Sequence, residues 1–190
     1  MFDVFETVYE PAEDSFLLAK NLTIKKGDLV LDVGSGCGLL AILAAQKAQK
    51  VVATDVNPYA VRCVMHNAFL NGVADKIEVR QGNLFDPVEA RESFGVILFN
   101  APYLPSEAWE EHDLASQAWV GGESGRNVID RFIIKSPEYL KKNGTILLVQ
   151  STLSNVEQSL RMFAEHGLDA CIVAERKVAF ETIVVVEARH

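Results

Sequence analysis

The chain of 190 residues is short of positive charge: 18 Lys and Arg stand against 26 Asp and Glu, a formal net charge of −8. Sequence-independent nucleic-acid binding needs basic side chains to neutralise phosphates, so this deficit argues against it. Cysteine is scarce too. Cys37, Cys63 and Cys171 are odd in number, widely spaced and without a CxxC pattern. That excludes a disulfide framework or thiolate metal knuckle and points to a reducing, cytoplasmic setting. No apolar run approaches a membrane span, and the acidic opening MFDVFETVYEPAED has too short an apolar run for a signal peptide. Internal repeats, low-complexity tracts and Gly/Ser linkers are also missing. One domain over residues 1–190 is therefore expected, large enough for a substantial apolar core.

What the chain does contain is an alternation of short β-rich runs and helical patterns. Leu29–Val33, Val51–Asp55, Ile77–Arg80, Val96–Phe99 and Thr145–Val149 read as buried strands, rich in Val, Ile and Leu and bounded by turn residues. Leu39–Lys50 and Pro58–Leu70 read as helices; in the second, Val61, Val64, Met65, Ala68 and Phe69 fall on one helical stripe. After the fifth strand come a helix over Asn155–His166 and strands over Ala170–Ala174 and Thr182–Glu187. The link Glu175–Glu181 is too short for a parallel crossover. The expectation is an α/β fold, a doubly wound and mostly parallel seven-stranded sheet that ends in an antiparallel hairpin.

The first strand runs into Asp32-Val33-Gly34-Ser35-Gly36-Cys37-Gly38. Glycines there let the backbone turn tightly and approach a ligand, with helix amides free just beyond. GxGxG lacks the third glycine position of the dinucleotide fingerprint. Asp32 beside the loop would repel a pyrophosphate and suit an ammonium group. Asp55, at the end of the second strand, is placed to take ribose hydroxyls. Asn83 and Leu84, beyond the third strand, would meet an adenine ring in the same crevice, while Asp86 reads as a turn cap. A packing turn with two capping aspartates is the plainer alternative, and the spaced pair of carboxylates weighs against it.

Phe99-Asn100-Ala101-Pro102-Tyr103-Leu104-Pro105 is an odd exit for a buried fourth strand. The Asn100 side-chain carbonyl and the Ala101 backbone carbonyl can each accept an N–H from a substrate nitrogen, while Tyr103 stacks on a planar group. Pro102 and Pro105 stiffen the arrangement, which is preorganisation of a reacting nitrogen. Cys63 and His66 are i and i+3 on one helix without a second ligand pair, so metal binding is not expected. Trp109 and Trp119 flank an acidic loop that would serve as a substrate lid, and His112 within it reads as solvated.

A strand-four Asn-x-Pro-Tyr after DxGxGxG and a distal acidic residue resembles the amino-directed S-adenosylmethionine-dependent methyltransferases. Val8 to Leu18 (VYEPAEDSFLL), LDVGSGCG, ATDVNPYAV, FNAPYLP, WVGGESG and the tail from Glu175 to Thr182 are similar to the HemK-type class I enzymes, in their small archaeal and eukaryotic form. That resemblance implies methylation of a glutamine side chain in the Gly-Gly-Gln motif of a class-1 translation release factor, with S-adenosyl-L-methionine as cofactor. It implies that Glu13, Asp14 and Ser15 close over the cofactor, and that Asp32, Gly34, Gly36, Asp55, Asn83, Leu84 and Asn100 bind it. Asn100, Ala101, Pro102 and Tyr103 would hold the substrate, with Asn100, Pro102 and Tyr103 forming the catalytic device. It further implies a small zinc-binding activator subunit at the third-strand edge. Two departures stand out: NAPY replaces the usual NPPY, and Asn83 replaces the usual aspartate. The rivals are methylation of an exocyclic amine of adenine or cytosine in DNA or RNA, and a non-catalytic cofactor-binding subunit. A nicotinamide oxidoreductase is the weakest, by the glycine spacing.

Overall fold

The computed structural model describes residues 2–104 and 124–190. The strands are β1 (Leu29–Val33), β2 (Lys50–Asp55), β3 (Ile77–Gln81), β4 (Phe94–Asn100), β5 (Leu140–Ser151), β6 (Asp169–Lys177) and β7 (Thr182–Arg189). They form one seven-stranded sheet in the order β3-β2-β1-β4-β5-β7-β6. The first five of that order run parallel, and β7 lies antiparallel to both β5 and β6. This is the expected doubly wound sheet with its terminal hairpin. Apolar side chains on β1 and β4 are buried along their length, as continuous Val, Ile and Leu runs in a central parallel strand require. The crevice where ligands bind such sheets lies beyond the carboxyl ends of β1 to β4.

Among the described residues, five α-helices complete the frame: α1 (Glu13–Lys20), α2 (Leu39–Ala45), α3 (Pro58–Leu70), α4 (Asn127–Lys135) and α5 (Val156–Glu165). α1 packs on α2 and α2 on α3, while α4 and α5 form a separate pair. Arg126, only 5% exposed, ties that second pair together. Its guanidinium donates to the Ser154 and Asn155 carbonyls, Ser159 and Asp130.

Several local expectations change. α2 stops at Ala45 rather than Lys50 because Lys50 already pairs with Leu29 in the sheet. The amides of Lys47 and Ala48 both return to the Ala44 carbonyl and turn the chain. On α3, Met65 and Phe69 do not share the buried stripe; they are 58% and 76% exposed. Cys63 and Asn67 are buried in their stead, because Asn67 hydrogen-bonds the Asp3 and Cys37 carbonyls. α1 is a helix that hydrophobic spacing does not announce; Glu13 and Asp14 in its first turn complement the helix dipole. The turn between β6 and β7 is tighter than expected, closed by Val178 N–H donating to the Glu181 carbonyl at 3.0 Å.

Candidate active site

A cavity of about 340 Å³ opens where the loops after β1, β2, β3 and β4 converge. Ser15, Gly34, Gly36, Asp55, Asn83, Leu84, Asn100 and Pro102 line it. Glu13, Asp14, Asp32, Ala101 and Tyr103 stand outside its wall. The structure thus brings most of the nominated residues to one place and buries Asp14, Asp32, Ala101 and Tyr103 behind them, whereas Glu13 is exposed and pairs with Arg176 at 2.6 Å.

The loop after β1 has the shape its glycines permit. Gly34, Gly36 and Gly38 adopt φ of 62°, 54° and 87°, a region costly for residues with a Cβ. At Gly38 a Cβ would also lie 3.1 Å from Val64 Cγ1 and 3.3 Å from its Cα, so α3 closes that position to any side chain. The loop rests on the end of β2: Ser35 N–H donates to the Thr54 carbonyl, and Gly36 N–H to Asp55 Oδ2 at 2.9 Å. The other Asp55 oxygen accepts the Asn57 N–H at 2.8 Å. Burial pushes the Asp55 carboxyl up, while those amides pull it down. Each oxygen retains a lone pair for a further donor from the cavity.

Asp32 is fully buried, and neither of its carboxylate oxygens has a hydrogen-bond partner among the described residues. Burial drives its carboxyl up to about 8; the Ala41 amide works against this from outside hydrogen-bond geometry, and Asp55 adds a smaller push upward. A buried acid without partners is a standing cost, and a cationic ligand group nearby would remove it. Such orphaned oxygens fit a cofactor that carries an ammonium group.

At the third strand's exit, Leu84 holds φ of 49°, an uncommon conformation for a branched residue. Thr54 Oγ1, itself buried, donates to the Leu84 carbonyl at 3.2 Å and holds this turn against the sheet. Strain of this kind gathers at ligand sites. Asn83 beside it is exposed on the cavity rim.

Asn100 ends β4 and faces the cavity. Its Nδ2 donates to Asp14 Oδ2 and to Ser15 Oγ, each at 3.1 Å. Its Oδ1 is buried and lacks a partner among the described residues. A free acceptor at the mouth of a cavity is the device needed to take a substrate N–H. Ala101 is 3% exposed, Pro102 forms wall, and Tyr103 is buried behind them. Burial, and then the charge of Asp14, hold the Tyr103 phenol protonated. Tyr9 is held the same way, with its hydroxyl 3.0 Å from Asp14 Oδ2. Glu181 adds negative charge near both tyrosines, and its buried Oε2 lacks a partner among the described residues.

Sequence reasoning passed over several of these groups. Arg131 reaches the cavity from α4 beside Val128, and nothing in its local sequence marks it. Cys37 also lines the wall, its thiol pushed up to about 11, chiefly by burial. His66 pairs with the Asp3 carboxylate at 2.8 Å, and Cys63 Sγ donates to the Asp3 carbonyl. The loop with Trp109, His112 and Trp119 lies outside the described residues.

A family model described as "Methyltransferase small domain" matches residues 10–181. A Methanocaldococcus jannaschii protein, named provisionally as a protein N5-glutamine methyltransferase, is 44% identical over 95% of this chain and 91% of its own length. The Homo sapiens protein Methyltransferase HEMK2 is 33% identical over 96% of this chain and 90% of its own. Among solved structures, a chain of the E. cuniculi Mtq2–Trm112 complex, which methylates the termination factor eRF1, superposes with a TM-score of 0.74. It is 24% identical and the match covers 96% of this chain and 98% of that one, a likeness of fold.

Proposed function

Since the chain belongs to the methyltransferase small-domain family, in its HemK-type branch, we propose that it is an S-adenosylmethionine-dependent N-methyltransferase of a protein glutamine side chain. The proposed substrate is the Gly-Gly-Gln motif of a class-1 translation release factor. The observation that carries this reading is the buried Oδ1 of Asn100 at the cavity, which has no partner among the described residues. The names of the relatives support the glutamine; the residues support a planar nitrogen.

Bound in this cavity, the cofactor supplies an electrophilic methyl group on a sulfonium. Asp55 takes the ribose hydroxyls, the loop from Gly34 to Gly38 accommodates the amino-acid end, and Asn83 and Leu84 meet the adenine. Asn100 Oδ1 accepts one N–H of the glutamine amide and the Ala101 carbonyl the other. Pro102 bounds the planar group, with Tyr103 buried behind it. The Asn100 and Ala101 acceptors would hold the amide nitrogen toward that methyl group, and the proton the nitrogen gives up would pass from these hydrogen bonds to solvent water. An amide nitrogen is a poor nucleophile, so orientation carries much of the rate; effective molarities of roughly 10⁵–10⁸ M mark what alignment can reach. No strong base is required before transfer.

We also propose that a small zinc-binding activator docks beside β3, the sheet edge. Glu78 there is bridged to Lys50 and Arg80, and Arg80 to Glu92, so charge guards the strand itself. Against it on α3 lie exposed Met65, Phe69 and Leu70, an apolar surface that suits a protein partner.

The test is transfer of labelled methyl to a recombinant release factor, with and without such an activator, and to the same factor with the motif glutamine replaced. Label on that glutamine is expected. Asn100→Ala should lower turnover about 10²–10³-fold, by analogy with loss of one oriented donor or acceptor at a reacting centre. Label confined to nucleic acid, or unchanged turnover in the variant, would refute the reading.

A further inference from the structure

The resemblance places Asp14 among residues that close over the cofactor, but its contacts lie elsewhere. We propose that Asp14 is a positioning residue for methyl transfer, fixing the Asn100 side-chain amide with Oδ1 turned to the substrate nitrogen. This rests on the reading above, in which Asn100 Oδ1 receives the reacting N–H.

The argument begins with a symmetry of shape. The two ends of an Asn side chain are nearly the same size, so neighbours alone decide which end faces the cavity. With Nδ2 toward the cavity, Asn100 would present a donor to a donor, and a glutamine amide would find no acceptor. Asp14, 4% exposed, decides the matter. Its Oδ2 lies 3.1 Å from Asn100 Nδ2, and with the Ser15 N–H, the Ser15 hydroxyl and the Tyr9 hydroxyl all donating to it, the carboxyl group serves here as an acceptor. A flipped amide would set two acceptors against each other inside the protein, the costly arrangement for buried polar groups.

Ser15 reinforces this choice under the same control. Its hydroxyl donates to Asp14 Oδ1 at 3.1 Å, which leaves a lone pair for Asn100 Nδ2. Asp14 thus orients both acceptors that the Asn100 amide meets. The carboxylate is itself fixed from two sides. The Ser15 N–H donates at 2.6 Å from the first turn of α1, and the Tyr9 hydroxyl lies 3.1 and 3.0 Å from the two oxygens. Asp14 does not line the cavity, whereas Asn100 and Ser15 do. A side chain set behind the wall, fixed by Tyr9 and Ser15 and bonded to the reacting residue, orients that residue rather than gripping a ligand.

Asp14→Asn keeps the size and removes the choice. A pair of facing amides is satisfied with either one donating, so Asn100 is free to flip. The expected result is a kcat about 10–50-fold lower, with cofactor affinity by calorimetry within about threefold of wild type. A double-mutant cycle supplies the readout that a purely structural role would not move. In an Asn100→Ala background, Asp14→Asn should cost less than about twofold. Ser15→Ala should lower kcat a few-fold and Ser15→Thr, which keeps the hydroxyl, should restore it. The serine pair also keeps the proposal testable if Asp14→Asn fails to fold. Equal cost of Asp14→Asn in both backgrounds would overturn the assignment alone, as would cofactor affinity falling in step with kcat. Full turnover by Asn100→Ala would overturn this assignment together with the functional reading beneath it.

Discussion

Asp14, at the start of α1, collects donors from Ser15, Tyr9 and Asn100, whereas Asp32, at the end of β1, is fully buried and neither oxygen has a partner among the described residues. Both sit on segments that build one cavity. A carboxylate surrounded by donors is a fixed part: it holds its neighbours in one geometry whether or not a ligand is present. A carboxylate without them is a poised part, destabilised until a ligand supplies the missing charge. Arg126 shows the first solution in a cation, its guanidinium spent on two carbonyls, a hydroxyl and Asp130. The contrast separates residues that shape the site from residues that wait for its occupant.

Asp55 lies between the two cases, because its oxygens accept the Gly36 and Asn57 amides and still face the cavity. It gives the largest expected effect on cofactor affinity. With the ribose hydroxyls held as proposed, Asp55→Ala should weaken that affinity about 100-fold or more, since two hydroxyl bonds are lost and the Gly36 loop loses its tether; hydrogen bonds to charged groups are worth about 1.5–3 kcal/mol each. Calorimetry with the cofactor or its demethylated product measures this directly. If affinity stays within threefold, Asp55 belongs with Asp14 as a purely internal part.

Asp32→Asn sharpens the comparison by moving stability and binding in opposite directions. An acid whose folded value is about 8, against an ordinary 3.8, keeps its proton in the folded chain while the unfolded chain gives its proton up. Stability is therefore unpenalised below about pH 4, falls as pH rises from there, and carries the whole penalty above about pH 8. Asparagine cannot ionise. The variant should unfold like wild type near pH 4 and be more stable at pH 8, by on the order of a few kcal/mol. Cofactor affinity should drop about tenfold. In the wild type, binding should release a proton between pH 6 and 8 as the ammonium group brings Asp32 into its charged form, visible in calorimetry across buffers of different ionisation enthalpy. Binding without proton release would place Asp32 with the structural residues.

The residues on either side of this contrast were not equally legible. Sheet order, hairpin and glycine loop follow from patterns local in sequence: apolar runs, turn residues and the spacing from Asp32 to Asp55. Asn100 was legible because a proline-flanked amide at the end of a buried strand has few structural uses. The Asp14–Asn100 contact joins positions 86 apart, and no periodicity carries such information. α1 is short, so its spacing gives little signal, and its role depends on where the sheet delivers Asn100. Helical spacing put Met65 and Phe69 in the core; hydrophobicity alone does not distinguish a core stripe from a surface awaiting a partner. Asn67 took the buried place because its hydrogen bonds reach the N-terminal segment and the glycine loop, a pairing that only tertiary structure reveals.

The smallest expected effect tests the wall itself. Ala101→Pro restores the NPPY form common among the enzymes this motif resembles, and it leaves in place the backbone carbonyl proposed to face the substrate nitrogen. Its cost is one N–H, which donates to the Val149 carbonyl over a long 3.4 Å. A bond of that length is weak, so its loss should change stability by no more than about 1 kcal/mol. In return, proline narrows the conformations open to the unfolded chain and to Asn100 before it, a gain of about 0.4–1 kcal/mol where the geometry is compatible. The two terms nearly cancel, and turnover should stay within about threefold of wild type, with any change upward. Thermal unfolding and turnover measured on the same preparation decide it. A stability loss of several kcal/mol would show that the Ala101 N–H, and not the stiffness of the following proline, holds Asn100 in line; the strand exit would then be a fixed part in the sense of Asp14, secured by the sheet before any substrate arrives.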